Sequence, residues 1–121
     1  LLNLEAYYSF PNIKPTNNSF KYYSQKLKAW KVISLPTGAY NIGDINISVN
    51  AATDLNGDAK NVIQFKELVA ESKCEMRLKS GIAVDFNVTN SINTVLGFEK
   101  RIYGDPASVV AQVFTSEKML T

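Results

Sequence analysis

Two glycines with the spacing of a phosphate-binding loop stand in the stretch LPTGAYNIGDI, at Gly38 and Gly43. Such a loop requires a lysine and a hydroxyl residue directly after the second glycine, because the lysine meets the phosphates and the hydroxyl holds magnesium. Asp44 and Ile45 stand there instead, and the aspartate would repel a phosphate. We therefore predict a turn that leads into a short helix, with Asn41 or Gly43 as its cap and Asp44 near the positive helix end.

A second candidate site is the run NAATDLNGDAKN, in which Asp54, Asn56 and Asp58 alternate as calcium ligands do. In an EF-hand loop that begins at Asp54, glycine occupies the sixth position and a bidentate glutamate the twelfth. Ala59 and Phe65 stand at those two positions. The sequence therefore predicts a polar loop with an Asn-Gly turn, and no metal site.

The chain contains no histidine, which removes the commonest general base and the commonest metal ligand. Ser-His-Asp and Cys-His nucleophile systems are therefore excluded within this chain. Cys74 is the only cysteine, so neither an intrachain disulfide nor a thiolate metal cluster can form. A pair of carboxylates remains conceivable, but no sequence pattern brings two of them together. We predict that the chain is not an enzyme, has no catalytic residues and binds no cofactor.

Aromatic side chains are the remaining candidates for recognition. If several of them share one exposed face, they could stack on a sugar or meet another protein, whereas packing in the core is the competing interpretation. A carbohydrate-binding or receptor-binding module is therefore the alternative function, with a surface glycan or receptor as partner. The residues that we assign to a ligand or assembly surface are Tyr7, Tyr8, Tyr22, Tyr23 and Trp30.

The elements that must position these residues are mostly strands, since apolar and polar residues alternate with a period of two. Two prolines and three asparagines predict a long surface loop at residues 9–19. Short helices are predicted at 41–49 and 92–96, the second ended by Gly97. Strands are predicted at residues 2–8, 19–24, 29–35, 62–70, 73–79, 83–86, 98–103 and 109–114.

Many short strands at a spacing of about ten residues are typical of all-β folds. We predict a mainly β chain, a jelly-roll-like β-sandwich with two short helices in connections. An α+β fold with a single sheet is the alternative. A length of 121 residues predicts one domain, over residues 1–121. Because the chain begins at Leu1 inside an apolar run without methionine, we predict a fragment of a longer chain.

Charge and hydropathy exclude several classes of partner. The net charge is +2, from 13 basic and 11 acidic side chains, and we interpret the two signs as interspersed along the chain. This low and mixed charge predicts no contact with nucleic acid. No window reaches the roughly 18 apolar residues of a membrane span. Three N-x-S/T sequons, at Asn17, Asn46 and Asn87, leave secretion and glycosylation open.

Several blocks in fixed order resemble a known group of proteins. The blocks LNLEAYYSFPNI, NNSFKYYS, ISLPTGAYNIGDIN and VDFNVTNSINTVLGFEKRIYG span most of residues 2–103. They are similar to blocks of proteins encoded by Polinton-like and adintovirus-like double-stranded DNA elements of animal genomes.

The resemblance implies a structural virion protein of the jelly-roll type, such as a minor capsid or penton-like protein. Its partners would be copies of itself or other capsid subunits, in a homo-oligomer, and its location the virion or an intracellular assembly site. Those chains continue with further strands, whereas this one diverges into DPASVVAQVFTSEKMLT. We therefore expect a jelly roll that is incomplete at its carboxyl end.

Overall fold

The computed structural model describes residues 9–117, without the side chains of residues 9–12 and 69. This part of the chain contains two α-helices, α1 (Ile42–Leu55) and α2 (Asn93–Leu96), and a short 3-10 helix at Val69–Glu71. The strands are β1 (Ser9–Ile13), β2 (Ser19–Ser24), β3 (Ala29–Ser34), β4 (Gly38–Asn41), β5 (Ile63–Leu68), β6 (Lys73–Leu78), β7 (Ala83–Asp85), β8 (Ile102–Gly104) and β9 (Gln112–Thr115).

Two antiparallel sheets and a two-stranded ribbon organise these strands. The first sheet has the order β3-β2-β7-β8, the second has the order β5-β6-β9, and the ribbon pairs β1 with β4. The rings of Phe20 on β2 and Phe65 on β5 meet edge-on, with centroids 6.5 Å apart, and those of Tyr103 on β8 and Phe114 on β9 meet at 5.2 Å. The prediction of a mainly β chain with helices in two connections is confirmed.

The β2–β3 hairpin is paired at every residue and agrees with its predicted bounds to within one residue. Phe20, Tyr22 and Ser24 are buried, because alternate side chains of a strand point to the same face. The hairpin continues into the β1–β4 ribbon, which pairs the chain segments that flank it.

The β1–β4 ribbon corrects the prediction of a loop over residues 9–19. β1 forms although Pro11 has no backbone N–H to donate. The ladder to β4 is irregular around this proline, and prolines are tolerated at such bulges and at sheet edges. The loop is confined to residues 14–18. The strand predicted at residues 2–8 lies outside the described residues.

The start of α1 is as expected from the sequence. The Asn41 side chain accepts a hydrogen bond from the Asp44 backbone N–H at 2.8 Å, and the Asp44 carboxylate accepts one from the Asn41 N–H at 3.1 Å. This reciprocal capping box satisfies two backbone donors that the first helical turn leaves unpaired. The helix after Asn41 is as predicted, whereas the predicted turn at Gly38 is the start of strand β4.

The length of α1 corrects the prediction, because the helix runs on to Leu55 through residues that we assigned to a polar loop. Val49 and Thr53 continue the buried stripe that Ile42 and Ile45 begin, and burial outweighs the weak helix propensity of this segment. In the described part of the chain, neither helix is long and apolar enough to cross a membrane.

α1 also covers the edge of the second sheet. The Asn46 amide donates to the Phe65 carbonyl on β5 at 2.7 Å and accepts from the Phe65 N–H at 2.8 Å. One turn further, the Asn50 side chain bonds the Asn61 backbone and side chain, each at 3.0 Å. Side-chain amides on the helix therefore take the place of a neighbouring strand at an edge that would otherwise present unpaired groups.

Two predicted strands are shorter than expected. The strand predicted at 98–103 is reduced to β8, because Phe98 turns into the core and stacks on Phe86 at 5.4 Å. The last strand begins at Gln112 rather than at 109, since the Ser108 hydroxyl bonds both backbone groups of Val110. Gly97 ends α2 in the left-handed conformation, as predicted.

Candidate functional site

The structure describes three of the five aromatic residues that we assigned to a recognition surface, and these three do not share one face. Tyr23 and Trp30 face each other across β2 and β3, with ring centroids 5.7 Å apart in an edge-to-face contact. Tyr22 points the other way and is 0% exposed, so it belongs to the core. Tyr7 and Tyr8 lie outside the described residues. Two of the five residues therefore share a face.

That face is the outer face of the four-stranded sheet. Trp30 is 37% exposed and Val32, two residues along β3, is 63% exposed. We name Tyr23, Trp30 and Val32 the aromatic patch. A row of paired residues then runs from Val32 through Lys21 and Asp85 to Ile102, which is 50% exposed.

β3 is also an edge strand of that sheet. The Leu35 N–H donates to the Asn18 carbonyl at 2.9 Å, just beyond the end of the hairpin ladder. Because hydrogen bonding alternates along an antiparallel pair, the N–H and C=O groups of Trp30, Val32 and Ser34 point away from β2. Within residues 9–117 no strand pairs with that side of β3.

Five lysines belong to this part of the molecule. Between Glu5 and Asp44 every charged side chain is a lysine. Lys31 is paired with the buried Tyr22, so its side chain leaves β3 on the inner face, at the edge of the sheet. Lys21 lies on the outer face. The full set is Lys14, Lys21, Lys26, Lys28 and Lys31. Charge summed over successive segments of the chain reveals this cluster, whereas the net charge of the whole chain does not.

A buried polar network holds the end of the β2–β3 hairpin. Asp58 is 7% exposed and accepts hydrogen bonds from the Tyr22 hydroxyl at 2.7 Å and the Ser24 hydroxyl at 2.8 Å. Its second oxygen accepts from the Lys26 N–H at 3.0 Å, and the Asn56 amide donates to the Tyr22 hydroxyl at 2.8 Å. Burial raises the pKa of Tyr22 above its ordinary value. The arrangement anchors the hairpin to the segment after α1.

The same network accounts for the residues that resemble calcium ligands. Both carboxylate oxygens of Asp58 are engaged by protein donors, while Asp54 is exposed on α1. No group of three or more His, Cys, Asp or Glu side chains that could hold a metal ion occurs within the described residues.

Cys74 is buried on β6, where its N–H donates to the Ser116 hydroxyl at 2.8 Å. Burial raises the pKa of its thiol to about 12. Since the thiolate is the reactive form, Cys74 is not an activated nucleophile near neutral pH.

The outer face of the three-stranded sheet has a different character. Gln64 pairs with Arg77 and Lys66 with Glu75 across β5 and β6, and the Arg77 guanidinium meets the Glu75 carboxylate at 2.6 Å. Polar and charged groups of both signs cover β5 and β6 here, while Val113 of β9, which pairs with Arg77, is 55% exposed on the same face. Comparison of the chain with family models, with curated proteins and with solved structures gave no match.

Proposed function

We propose that this chain is a structural virion or capsid-like protein of the jelly-roll type. It assembles with copies of itself, or with other capsid subunits, through the surfaces of its β-sandwich, in a virion or at an intracellular assembly site. The observation that carries the proposal is the exposure of large apolar side chains on several different elements of the described chain. The resemblance of several sequence blocks to such proteins supports it independently.

Seven of the nine large apolar side chains that are exposed in the described chain fall into three groups by element, and the other two are Leu27 and Ile102. Single exposed apolar residues are common on monomers, but adjacent ones favour a contact surface. Burying a fully exposed side chain of this size at an interface would contribute about 1.5–3 kcal/mol, and a partly exposed one contributes less. The groups are Trp30 and Val32 on β3, Ile47 and Leu55 on α1, and Val109, Val110 and Val113 at and before β9.

Exposed apolar patches on different elements suit a subunit that contacts several copies of itself in a shell or lattice. A two-fold dimer needs one self-complementary patch, whereas rings, shells and lattices need unlike patches that meet on neighbouring copies. A shell subunit also needs no acid, base or metal, only covered strands and surfaces that fit their neighbours.

The test is the mass of the purified full-length protein by light scattering and sedimentation, over a wide range of concentration and salt, with negative-stain microscopy. We expect oligomers that Val32→Lys weakens about tenfold or more, because the variant forces a charge into an apolar contact. Gln64→Lys places the same charge at an exposed position outside the three apolar groups and is expected to assemble normally. A strictly monomeric protein under all conditions would contradict the proposal.

A carbohydrate-binding or receptor-binding module is the second candidate, favoured by the Tyr23–Trp30 pair, in which Trp30 is exposed and Tyr23 is half-buried. Exposed aromatic faces stack on the apolar faces of sugars, and Trp30 is the only tryptophan. Selectively excited tryptophan fluorescence therefore reports on the aromatic patch alone. A change of Trp30 emission on titration with a sugar that a glycan array identifies would favour this function. No array hit and unchanged emission would count against it.

A further inference from the structure

We propose that the free edge of β3 is a docking site for an extended, acidic segment of another protein, which adds to the four-stranded sheet as a fifth strand. The inference goes beyond the shell proposal, because the partner is a different polypeptide and the contact is made by the strand edge rather than by the outer face.

The first support is the unpaired backbone. Trp30, Val32 and Ser34 present N–H and C=O groups away from β2, and no described strand accepts them. A regular row of this kind is the template for β-strand addition.

The other edges of the two sheets are less open. Asn46 covers β5, and β8 is only three residues long. Beyond the end of β9, which is only four residues long, the Glu117 N–H already donates to the Gly97 carbonyl at 3.0 Å, so the loop that holds Gly97 lies against one end of that edge. Within the described residues, β3 is the edge best able to accept a strand.

Charge decides the chemistry of the partner. The five lysines include Lys31 on β3 and Lys26 and Lys28 in the turn before it, and no acidic residue lies between Glu5 and Asp44. Lysines at an edge oppose pairing with a second β3 edge, since two lysine clusters would meet. They attract a segment that carries carboxylates, especially at low salt.

The register of the sheet predicts the pattern of the docked segment. Side chains of the added strand that stand beside Trp30 and Val32 lie on the outer face, where apolar groups pack against the aromatic patch. The residue between them stands beside Lys31 on the opposite face, where a carboxylate is complementary. The preferred segment therefore alternates apolar and acidic residues.

The experiment uses the full chain and a synthetic peptide, Thr-Val-Glu-Val-Glu-Val-Thr, with amide exchange followed by NMR. Binding is expected to slow exchange of the Trp30, Val32 and Ser34 amides about tenfold or more, while the Lys31 and Ile33 amides, already paired with β2, change little. A peptide with lysine in place of glutamate is expected not to bind, and added salt is expected to weaken binding.

Two variants at one position separate strand addition from side-chain contact. Val32→Pro removes an amide that points away from β2, so the hairpin ladder stays intact, and it is expected to weaken peptide binding about tenfold. Val32→Thr keeps that amide and a β-branched side chain, and it is expected to bind with less than about threefold loss. Circular dichroism and thermal unfolding verify that both variants are folded.

Each contrary result overturns the inference. Peptide binding that leaves the three amides unprotected would show side-chain docking, and equal binding of the lysine peptide would remove the charge argument. Protection that appears on concentrating the protein alone would assign the edge to a second copy. Tight binding of oligothymidylate, with no binding of the acidic peptide, would assign the lysines to nucleic acid.

Discussion

The outer faces of the two sheets differ although both arise from alternating strands. On the four-stranded sheet the outward positions include Tyr23, Trp30 and Val32, whereas on β5 and β6 of the three-stranded sheet they include Lys66 and Glu75, and the exposed Val113 lies at the β9 edge. A face covered by charges of both signs is well solvated and gains little from contact. Alternation of residue types along a strand defines two faces. The side chains on the outer face then decide whether that face can bind another protein or stays in contact with water.

The two sheets also differ in the treatment of their edges. β5 is covered by amides from α1, whereas β3 keeps its outward groups unpaired in the described chain. Natural sheets blunt exposed edges with lysines, and β3 carries Lys31. Both the aromatic patch and the open edge thus involve β3, so variants of β3 test the difference between the two sheets most directly.

The largest effect on stability is expected at alkaline pH, where the buried side chains of Cys74 and Tyr22, on the inner faces of the two sheets, lose their protons. Burial raises the pKa of Cys74, inside the three-stranded sheet, from 9.0 to about 12. The folded chain therefore keeps a proton that the unfolded chain loses, and this contribution to stability is complete below pH 9 and is lost as the pH rises toward 12. The expected loss from Cys74 is about 1 kcal/mol per pH unit in that window.

Urea unfolding at pH 8, 9, 10 and 11 measures this loss. Cys74→Ala is expected to be less stable than the wild type at pH 8 by about 1 kcal/mol, because it leaves a small cavity, but to have a shallower alkaline slope. Tyr22, inside the four-stranded sheet, has a raised pKa for the same reason and adds to the slope above pH 10 in both proteins. Equal slopes for the two proteins would contradict the assignment to Cys74.

The next largest effect is expected from the network that anchors the hairpin bearing the aromatic patch. Asp58→Ala leaves the buried hydroxyls of Tyr22 and Ser24 and the Lys26 N–H without their acceptor, which is expected to cost about 3 kcal/mol. Denaturant unfolding at neutral pH measures it. Asp54→Ala removes an exposed carboxylate from α1 and is the matched control, with a change within about 0.5 kcal/mol. Similar losses for both variants would show that Asp58 does not anchor the hairpin.

A smaller effect is expected at the covered edge. Asn46→Ala leaves the Phe65 N–H and C=O without partners and is expected to destabilise the chain by about 2 kcal/mol. Faster exchange of the Phe65 amide would locate the loss. Ile47→Ala changes the neighbouring exposed residue of α1 and is expected to leave that amide unaffected. An unchanged Phe65 amide in Asn46→Ala would contradict the role of the helix as an edge cover.

The smallest effect is expected on the charged outer face. Arg77 is well exposed beside Glu75, so Arg77→Ala is expected to cost less than about 0.5 kcal/mol, and less still at high salt. Thermal unfolding at low and high salt measures it. A loss of 2 kcal/mol or more would mean that this face is structurally important, and the contrast between the two outer faces would fail.

Local rules predicted part of the fold well. The β2–β3 hairpin follows from two aromatic and β-branched runs around a charged turn, and the start of α1 follows from Asn41 and Asp44, whose capping contacts span three residues. The length of α1 did not follow, because Asn46 and Asn50 are stabilised by β5 and Asn61, which come later in the chain. The sequence did not predict β1 either, because proline disfavours a strand. Only the pairing of β1 with β4 shows that the ladder around Pro11 is irregular and tolerates it.

The candidate site was predicted in the same partial way. Trp30 and Tyr23 were found by residue type, but the open edge of β3 was not, because an edge is defined by the strands that are missing beside it. The lysine cluster was visible in the sequence and was lost by summing charge over the whole chain. Asp58 was noticed for its spacing, yet its partners Tyr22 and Ser24 lie more than thirty residues away.

The sequence by itself determined that Tyr22 and Tyr23 lie on opposite sides of a strand, that the chain lacks imidazole, and that the β2–β3 hairpin is rich in lysine. It did not determine which tyrosine is buried, since a period of two defines two faces without ranking them. The tertiary packing settles it, because the second sheet, β5-β6-β9, lies against the Tyr22 side, where Phe65 of β5 meets Phe20 of β2. The side left uncovered became the aromatic patch because no distant segment of the described chain supplies a layer to bury it.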